Sequence, residues 1–203
     1  MTKLIALVGT NSDKSTNRQL LQFIATHFAP QADIELMEIK DIPVFNKSLM
    51  GNLPAVVKEK EVKIAEADGV IIATPEYDHS VTAALMNALE WFSVGSHPFV
   101  DKPVMIVGAS YGTLGSSRAQ AQLRQILDAP ELRAYIMPSS EFHLSHSLQA
   151  FNEDNRLTSE KKIAELEALF TDFLRFVAIT AKLTATHAQH KEAVKQFSWD
   201  QVN

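Results

Sequence analysis

The chain alternates between short apolar runs and longer stretches in which apolar residues recur at helical spacing. Five apolar runs, each followed by turn residues, predict strands at residues 3–8, 34–38, 69–74, 104–109 and 134–137. The stretches between and after them predict helices at residues 15–28, 53–66, 81–93, 115–127 and 159–183. Such alternation is typical of a parallel sheet that carries helices on both faces.

The order of these elements predicts one α/β domain over residues 1–183. We expect a flavodoxin-like three-layer α/β/α sandwich with five parallel strands in the order 2-1-3-4-5 and right-handed crossovers. Residues 138–158 are predicted to form one long polar connection. Residues 184–203 lack the core pattern and predict a surface helix or a partly ordered tail, with a subunit-bridging arm as the alternative. His187 and His190 have metal-compatible spacing there, but two ligands are too few and we assign no metal.

Composition and charge narrow the classes of function. The 203-residue chain carries a formal net charge of −5 at pH 7, which disfavours a protein that binds nucleic acid through a basic face. It contains no cysteine, which excludes disulfides, thiolate zinc ligands and cysteine nucleophiles. No apolar run approaches the roughly 20 residues of a membrane span, and no secretory signal pattern precedes the first strand. We therefore expect a cytoplasmic protein with neither a membrane nor a nucleic-acid partner.

The loop after the first strand, residues 9–17, is crowded with hydrogen-bonding side chains. They are Thr10, Ser12, Ser15, Thr16 and Asn17. Turn and helix-cap residues are the simpler explanation, but five such side chains exceed what one cap needs. A loop of this kind at the start of a helix favours a phosphate, because backbone N–H groups and the helix dipole both attract anions. Since the triphosphate and dinucleotide glycine motifs are missing, we predict a terminal phosphate monoester.

A second loop, residues 74–80, follows the third strand. It reads Thr74-Pro75-Glu76-Tyr77-Asp78-His79-Ser80. From the residues alone, Tyr77 is either a ring contact or a packed loop aromatic, and Glu76 is either a ligand contact or a structural cap. His79 is either a proton carrier or a surface residue. Ligands of open parallel sheets bind beyond the carboxyl ends of the strands, so the two loops together predict a mononucleotide site.

The third loop, residues 108–118, follows the fourth strand and is rich in glycine. Its glycines are Gly108, Gly112 and Gly115. Glycines at such a position allow the backbone to approach a planar ligand closely. We expect this loop to close the side of the site that faces the second loop.

The same loop contains the pattern G-x-S-x-G, which is the nucleophile elbow of α/β-hydrolases. Asp128 and either His143 or His146 follow Ser110 in the chain order that a hydrolase triad would require. A serine hydrolase is therefore the main alternative. Two features disfavour it: only three predicted strands precede Ser110, and residues 113–115 extend the loop where the elbow should enter a helix.

Taken together, the three loops resemble those of the NADPH-dependent FMN reductase family, which includes bacterial quinone, azo-dye and chromate reductases. Gly9, Thr10, Ser15 and Asn17 match its first loop, G-S-x-R-x-x-S-x-N. Residues 74–80 are similar to its T-P-E-Y-N-x-S, and residues 85–91 to its L-K-N-A-I-D-W. Residues 42–46 and 118–120 are similar to its L-P-x-F-N and R-A-Q. The resemblance covers residues 1 to about 183, and the second loop with its downstream tryptophan is its most specific part.

The resemblance implies that FMN carries the chemistry. It also implies that Pro75, Glu76, Tyr77 and Asp78 line the ring on one side and that Ser110, Tyr111, Gly112 and Gly115 close the other. NADH or NADPH would pass a hydride to FMN, and a quinone, azo compound, free flavin or similar small acceptor would then take two electrons. The apolar residues Leu85, Leu89, Trp91 and Phe92 exceed one buried stripe, so we expect a homodimer, with a tetramer as the alternative. A flavodoxin-like electron carrier and a non-catalytic FMN-binding protein stay open as further alternatives.

Three positions depart from the family pattern. Ser12 stands where the family usually has arginine, so a charge-assisted phosphate contact is missing, and Lys14 is a candidate replacement for the charge. Asp78 replaces an asparagine, and His79 replaces a residue that is often glycine. These departures bear on flavin affinity and on the choice of acceptor.

Overall fold

Six parallel strands form one sheet in a computed structural model that describes residues 1–139 and 141–196. Their order is β2-β1-β3-β4-β5, with β6 also paired to β4, and this confirms the predicted order. The strands are β1 (Thr2–Val8), β2 (Ala32–Met37), β3 (Gly69–Ala73), β4 (Pro103–Ala109), β5 (Tyr135–Ile136) and β6 (Phe142–Leu144). Every predicted strand is present, with ends that differ by at most two residues.

Helices cover both faces of the sheet, as predicted. They are α1 (Thr16–His27), α2 (Ala55–Glu66), α3 (Ala83–Phe92), α4 (Ser117–Leu127), α5 (Glu160–Thr180) and α6 (His187–Gln196). The hydrophobic clusters place α1 and α5 on one face, and α2, α3 and α4 on the other. The side chains of β1 alternate between these clusters, because successive residues of a strand point to opposite faces.

The sixth strand corrects one prediction. Residues 138–158 are not one polar connection, because Phe142 and Leu144 are buried and β6 pairs with the end of β4. β5 pairs with the beginning of β4, so β5 and β6 occupy one edge of the sheet in two short pieces. Pro138 lies between them and cannot donate a ladder hydrogen bond, which suits an interruption here. Three-residue strands are too short to produce a recognisable period.

The end of the chain forms more helix than the core pattern suggests. α5 ends at Thr180, three residues before the predicted end, and a 3₁₀ segment (Ala181–Thr186) leads into α6. Val194 of α6 is buried, so this helix contacts the domain. The remaining predicted tail, residues 197–203, lies outside the described residues. Within the described part of the chain, no helix combines the length and apolarity that a membrane span requires.

Helix α3 serves the core and also holds the segment after β2. Leu85, Leu89, Trp91 and Phe92 are at most 1% exposed within the single chain, so they do not supply the dimer face that we expected from them. The indole N–H of Trp91 donates to the carbonyl of Pro43 at 2.8 Å. The Asn87 amide donates to the same carbonyl at 3.0 Å and accepts from the backbone N–H of Phe45 at 2.6 Å.

Candidate active site

A cleft of about 500 Å³ opens at the carboxyl ends of β1, β3 and β4. Its lining comes from the three loops that the sequence singles out. These residues are Lys14, Ser15, Thr16 and Asn17 from the first loop, Pro75, Glu76, Tyr77 and His79 from the second, and residues 109–114 with Arg118 from the third. The fold therefore brings the predicted loops around one space, as expected for a parallel sheet.

The first turn of α1 forms one end of the cleft. The Ser15 hydroxyl caps the helix by accepting a hydrogen bond from the backbone N–H of Arg18 at 3.2 Å. The Ser15 O–H remains able to donate to a ligand. The N–H groups of Thr16 and Asn17 belong to the first turn, where α-helical geometry provides no internal acceptor. Together with the ammonium of Lys14, this end offers the donors that a phosphate dianion requires.

The side chain of Asn17 ties this helix to the sheet. Its amide N–H donates to the carbonyl of Ala109 at 2.8 Å, and its amide oxygen accepts from the N–H of Ala109 at 2.9 Å. Both hydrogen bonds are buried, so Asn17 behaves like an additional peptide group beside the end of β4. Its side chain is therefore occupied, whereas its backbone N–H belongs to the first turn of α1, which lines the cleft.

Thr10 and Ser12 shape the first loop and do not line the cleft. The hydroxyl oxygen of Thr10 accepts from the N–H of Ser12 at 3.2 Å, and the Ser12 hydroxyl donates to the carbonyl of Lys14 at 2.9 Å. The guanidinium of Arg18 donates to the carbonyl of Ser12 at 2.7 Å and pairs with Glu38 on the other side. Hydrogen bonding to Glu38 raises the pKa of Arg18, so this internal brace keeps its charge. The motif comparison did not single out Arg18.

The second loop ends in a two-residue reverse turn. Tyr77 and Ser80 exchange backbone hydrogen bonds of 3.1 and 2.9 Å, and Asp78 and His79 lie between them with φ angles of 51° and 64°. Two consecutive left-handed residues are the mark of a type I′ turn, which prefers Asn-Gly or Asp-Gly. A left-handed conformation costs a residue with a side chain roughly 1–2 kcal/mol. The turn thus holds a strained His79 against the cleft, whereas Asp78 does not line it.

Glu76 connects the second loop to α4. One carboxylate oxygen accepts from the N–H of Arg118 at 3.0 Å and from the N–H of Ala119 at 3.4 Å, and the other contacts the Arg118 guanidinium at 3.3 Å. The residue before α4, Ser116, has φ 68° and makes no side-chain cap. Glu76 therefore caps α4 from another loop, which favours the structural alternative for this residue.

The third loop is held by the segment that sequence patterns missed. Ser110 donates its N–H to Leu144 at 3.0 Å and accepts from Ser147 at 3.0 Å, while Gly112 accepts from His146. The Ser147 hydroxyl also contacts that of Thr16 at 2.8 Å. Gly115 has φ 57° and lies outside the cleft, and a Cβ there would come within 2.6 Å of His143. β6 and the following turn thus fix the shape of this wall.

The geometry around Ser110 does not form a hydrolase triad. Its hydroxyl donates to the carbonyl of Gly112 at 3.4 Å, and among the described residues no histidine is hydrogen-bonded to it. Helix α4 begins only at Ser117, seven residues later. Both observations remove the activated nucleophile that the motif requires.

Nine of the thirteen predicted contact residues line the cleft: Ser15, Thr16, Asn17, Pro75, Glu76, Tyr77, Ser110, Tyr111 and Gly112. Thr10, Ser12, Asp78 and Gly115 do not. The cleft also contains residues outside that prediction: Lys14, His79, Ala109, Thr113, Leu114 and Arg118. His79 departs from the family pattern, and Lys14 lies two residues after the departure at Ser12. These departures were the feature of the sequence that could have identified both residues as part of the cleft. The described residues contain no cluster of three or more histidine or acidic side chains suited to a metal ion.

Known proteins similar to this chain agree on a family. The model of the family described as NADPH-dependent FMN reductase matches residues 2–149. The NADH:(hydroxy)cinnamate reductase subunit CrdA of Vibrio ruber is 53% identical over 195 residues, which cover 96% of this chain and 96% of that protein. The NADH-dependent flavin reductase subunit 2 of Lactobacillus johnsonii is 42% identical over 86% of this chain and 97% of its own length.

Solved structures show the same relationship. FerB, a flavoenzyme NAD(P)H:(acceptor) oxidoreductase from Paracoccus denitrificans, superposes with a TM-score of 0.76 at 25% identity, covering 90% of this chain and 98% of FerB. An archaeal flavodoxin at 12% identity and a TM-score of 0.58 shares the fold. The strand order, the cleft and these relatives agree, and the chain belongs to the NADPH-dependent FMN reductase family, as an NAD(P)H-dependent FMN oxidoreductase.

Proposed function

We propose that FMN binds in the cleft with its phosphate at the start of α1 and its ring between the second and third loops. The residues at one end of the cleft support this placement: Lys14, Ser15, Thr16 and Asn17 line it, and they carry an ammonium, a hydroxyl and the first-turn N–H groups of α1. Lys14 supplies the positive charge that the family's arginine would carry at position 12. Ser12 is uncharged, and its hydroxyl donates to the Lys14 carbonyl. The other predicted first-loop residues, Thr10 and Ser12, keep the loop in shape.

The remaining walls suit a planar ring. Pro75, Glu76 and Tyr77 form one wall, and Ser110, Tyr111 and Gly112 form the other, largely through backbone groups. The tyrosines are 51% and 59% exposed, so both stand at the open rim. FMN bound here would accept a hydride from NADH or NADPH and deliver it to an acceptor, while the chain holds the ring and leaves one face open.

A planar, conjugated acceptor suits this opening. Tyr77 and Tyr111 flank the rim with aromatic surface, and flat molecules such as quinones or free flavins gain most from such contacts. The (hydroxy)cinnamate, flavin and quinone reductase relatives act on molecules of this shape by their names. We therefore propose quinone-like acceptors, with NADH as the first donor to test because both high-identity relatives are named for it.

The decisive experiment compares FMN with riboflavin, which lacks the phosphate. Ser15→Ala removes one hydrogen bond to a charged group, which is worth roughly 1.5–3 kcal/mol or about tenfold in affinity, and more at the upper end. Its FMN affinity should fall while its riboflavin affinity stays close to that of the wild type. Ser159→Ala is the matched control, because Ser159 caps α5 through the N–H of Lys162 far from the cleft. Equal losses for both flavins would contradict the placement.

A second cavity, away from the cleft, suggests how two copies of the chain assemble. An apolar groove of about 410 Å³ runs between α3, the end of α4 and residues 45–50, and Met86 lies in it partly exposed. We propose a homodimer that covers this groove, in the cytoplasm. Sedimentation of the wild type and of Met86→Glu tests the pairing: the variant should shift to monomer, and an unchanged tetramer or dimer would place the interface elsewhere.

A further inference from the structure

Six ionisable residues line the cleft, and four of them, Lys14, Tyr77, His79 and Tyr111, make no side-chain hydrogen bond or ion pair within the described residues. His79 sits at φ 64°, where glycine would be free of strain, so the backbone has no need of a side chain here. The imidazole nevertheless lines the cleft beside Tyr77. His79 is exposed at the cleft, so its ring is accessible to a bound acceptor.

Other charged groups near His79 are already engaged or lie elsewhere. Glu76 is bound to Arg118 and to the start of α4, and Asp78 lies outside the cleft lining. Lys14 stands at the opposite loop with the donors for phosphate. Tyr77 and Tyr111 are the remaining titratable groups at the rim. Of these, only an imidazole commonly changes charge between about pH 5 and 8, so it is the group suited to giving up a proton near neutrality.

We propose that His79 donates the proton that an oxygen-containing acceptor needs during its two-electron reduction; this rests on the proposed function above. A quinone that gains a hydride becomes a hydroquinone anion, and it needs one proton to become neutral. NAD(P)H supplies the hydride through FMN and is oxidised to NAD(P)⁺, while the quinone is reduced. The N–H bond of the His79 imidazolium breaks as the hydroquinone O–H bond forms, and the neutral imidazole recovers its proton from water.

The test uses FMN-loaded protein and two acceptors. Benzoquinone needs a hydride and a proton, whereas ferricyanide takes single electrons and no proton. His79→Asn keeps a residue that tolerates left-handed backbone, and His79→Gly removes the side chain altogether. Both should lower kcat for benzoquinone about 100-fold, with little change in KM. Ferricyanide turnover should be unaffected.

Three further measurements separate this role from a structural one. Added imidazole should restore benzoquinone turnover to His79→Gly but not to His79→Asn, which leaves less room. Without NAD(P)H, so that no reduction occurs, the NMR signal of the His79 ring should shift when 4-nitrophenol binds to the FMN-loaded protein. His27→Gln is the control, because His27 pairs with Glu167 on the surface of α1 and should behave as the wild type.

The outcomes distinguish the two proposals. If NAD(P)H bleaches the bound flavin and quinone turnover is independent of His79, only the proton-donor role is overturned. If both acceptors slow equally in the variants, His79 is structural and the role is likewise overturned. If NAD(P)H does not bleach the flavin in the wild type, the proposed function itself fails.

Discussion

Polar groups at one end of the sheet line an open cleft, whereas those at the other end are buried in contacts between elements. At the carboxyl ends of the strands, the first turn of α1 and His79 line an open cleft. At the amino ends, Asp101 is buried, with its side chain 6% exposed, and one carboxylate oxygen contacts Nδ1 of His187 at 3.1 Å and Nδ1 of His190 at 2.7 Å. Arg133 approaches the other oxygen at 3.7 Å.

The amino end is closed by the last helix. The Lys102 ammonium donates to the carbonyls of Ala65 and Ala67 at the end of α2, and burial together with the nearby Lys191 of α6 lowers its pKa to about 8. Burial and the neighbouring Asp101 raise the pKa of Tyr135. Charged groups hold elements together at both ends, through Asp101 and Lys102 at one and through Glu76 and Arg18 at the other, but among the described residues only the cleft end also leaves unpaired donors such as Lys14 at an open space. We therefore expect mutations at the amino end to change stability alone, and mutations at the cleft end to change flavin affinity as well.

The largest effect should come from Asn17→Leu, which breaks the attachment at the cleft end. The change leaves both the N–H and the carbonyl of Ala109 buried without partners, and each such group costs roughly 1–3 kcal/mol. We expect urea unfolding to show a loss of about 3 kcal/mol together with weaker FMN binding. Asn152→Leu, at an exposed hairpin hydrogen bond, should lose much less. A stable variant with normal FMN affinity would contradict the attachment.

Asp101→Asn should come next and affect only the opposite end. It removes the carboxylate that both tail histidines contact, and hydrogen bonds to a charged group contribute roughly 1.5–3 kcal/mol. We expect faster hydrogen exchange in α6 and about 2 kcal/mol less stability, with unchanged FMN affinity. Asp172→Asn, in an exposed pair with Arg175, should change stability by less than about 0.5 kcal/mol. A change in FMN affinity in Asp101→Asn would show that the two ends are coupled.

A smaller and opposite effect is expected for Asp78→Gly. Its left-handed φ of 51° is relieved by glycine, but aspartate suits the first position of this turn, so we expect the free energy of unfolding to rise by less than about 1 kcal/mol. Asp33→Gly is the control, since Asp33 lies in the extended strand β2, where glycine should destabilise. Thermal unfolding of both variants measures the difference. Destabilisation by Asp78→Gly would mean that the side chain contributes more than the strain costs.

The smallest effect concerns acid sensitivity at the amino end. Burial lowers the pKa of His97, and Lys195 and Lys191 lower it further, although its contact with the carbonyl of Glu131 acts in the other direction. Below an ordinary histidine pKa of about 6.5 the unfolded chain therefore binds more protons than the native one, so stability falls as the pH decreases. His97→Asn, which tolerates φ 52°, should show a shallower decline between pH 7 and 5. Equal slopes in urea titrations would exclude His97 as a source.

Local patterns were enough to predict the sheet order and the three loops around the cleft. Buried parallel strands leave continuous apolar runs, and loops after such strands meet at one edge. The contacts that fix the cleft were not predictable in the same way. Asn17 bonds to Ala109, 92 residues away, and β6 shows no period in three residues. Glu76 was left between two roles because capping α4 depends on where that helix starts in space, which no local pattern records.

The two buried hydrogen bonds between the Asn17 side chain and the Ala109 backbone also set a distance within the cleft. They fix the separation between the start of α1 and the wall formed by the third loop before any ligand arrives. A cofactor that contacts both the start of α1 and the third loop must have a linker of matching length. Moving either element would break the two buried hydrogen bonds between Asn17 and Ala109. Synthetic flavin phosphates with one carbon more or fewer between ring and phosphate should therefore bind through one anchor at a time.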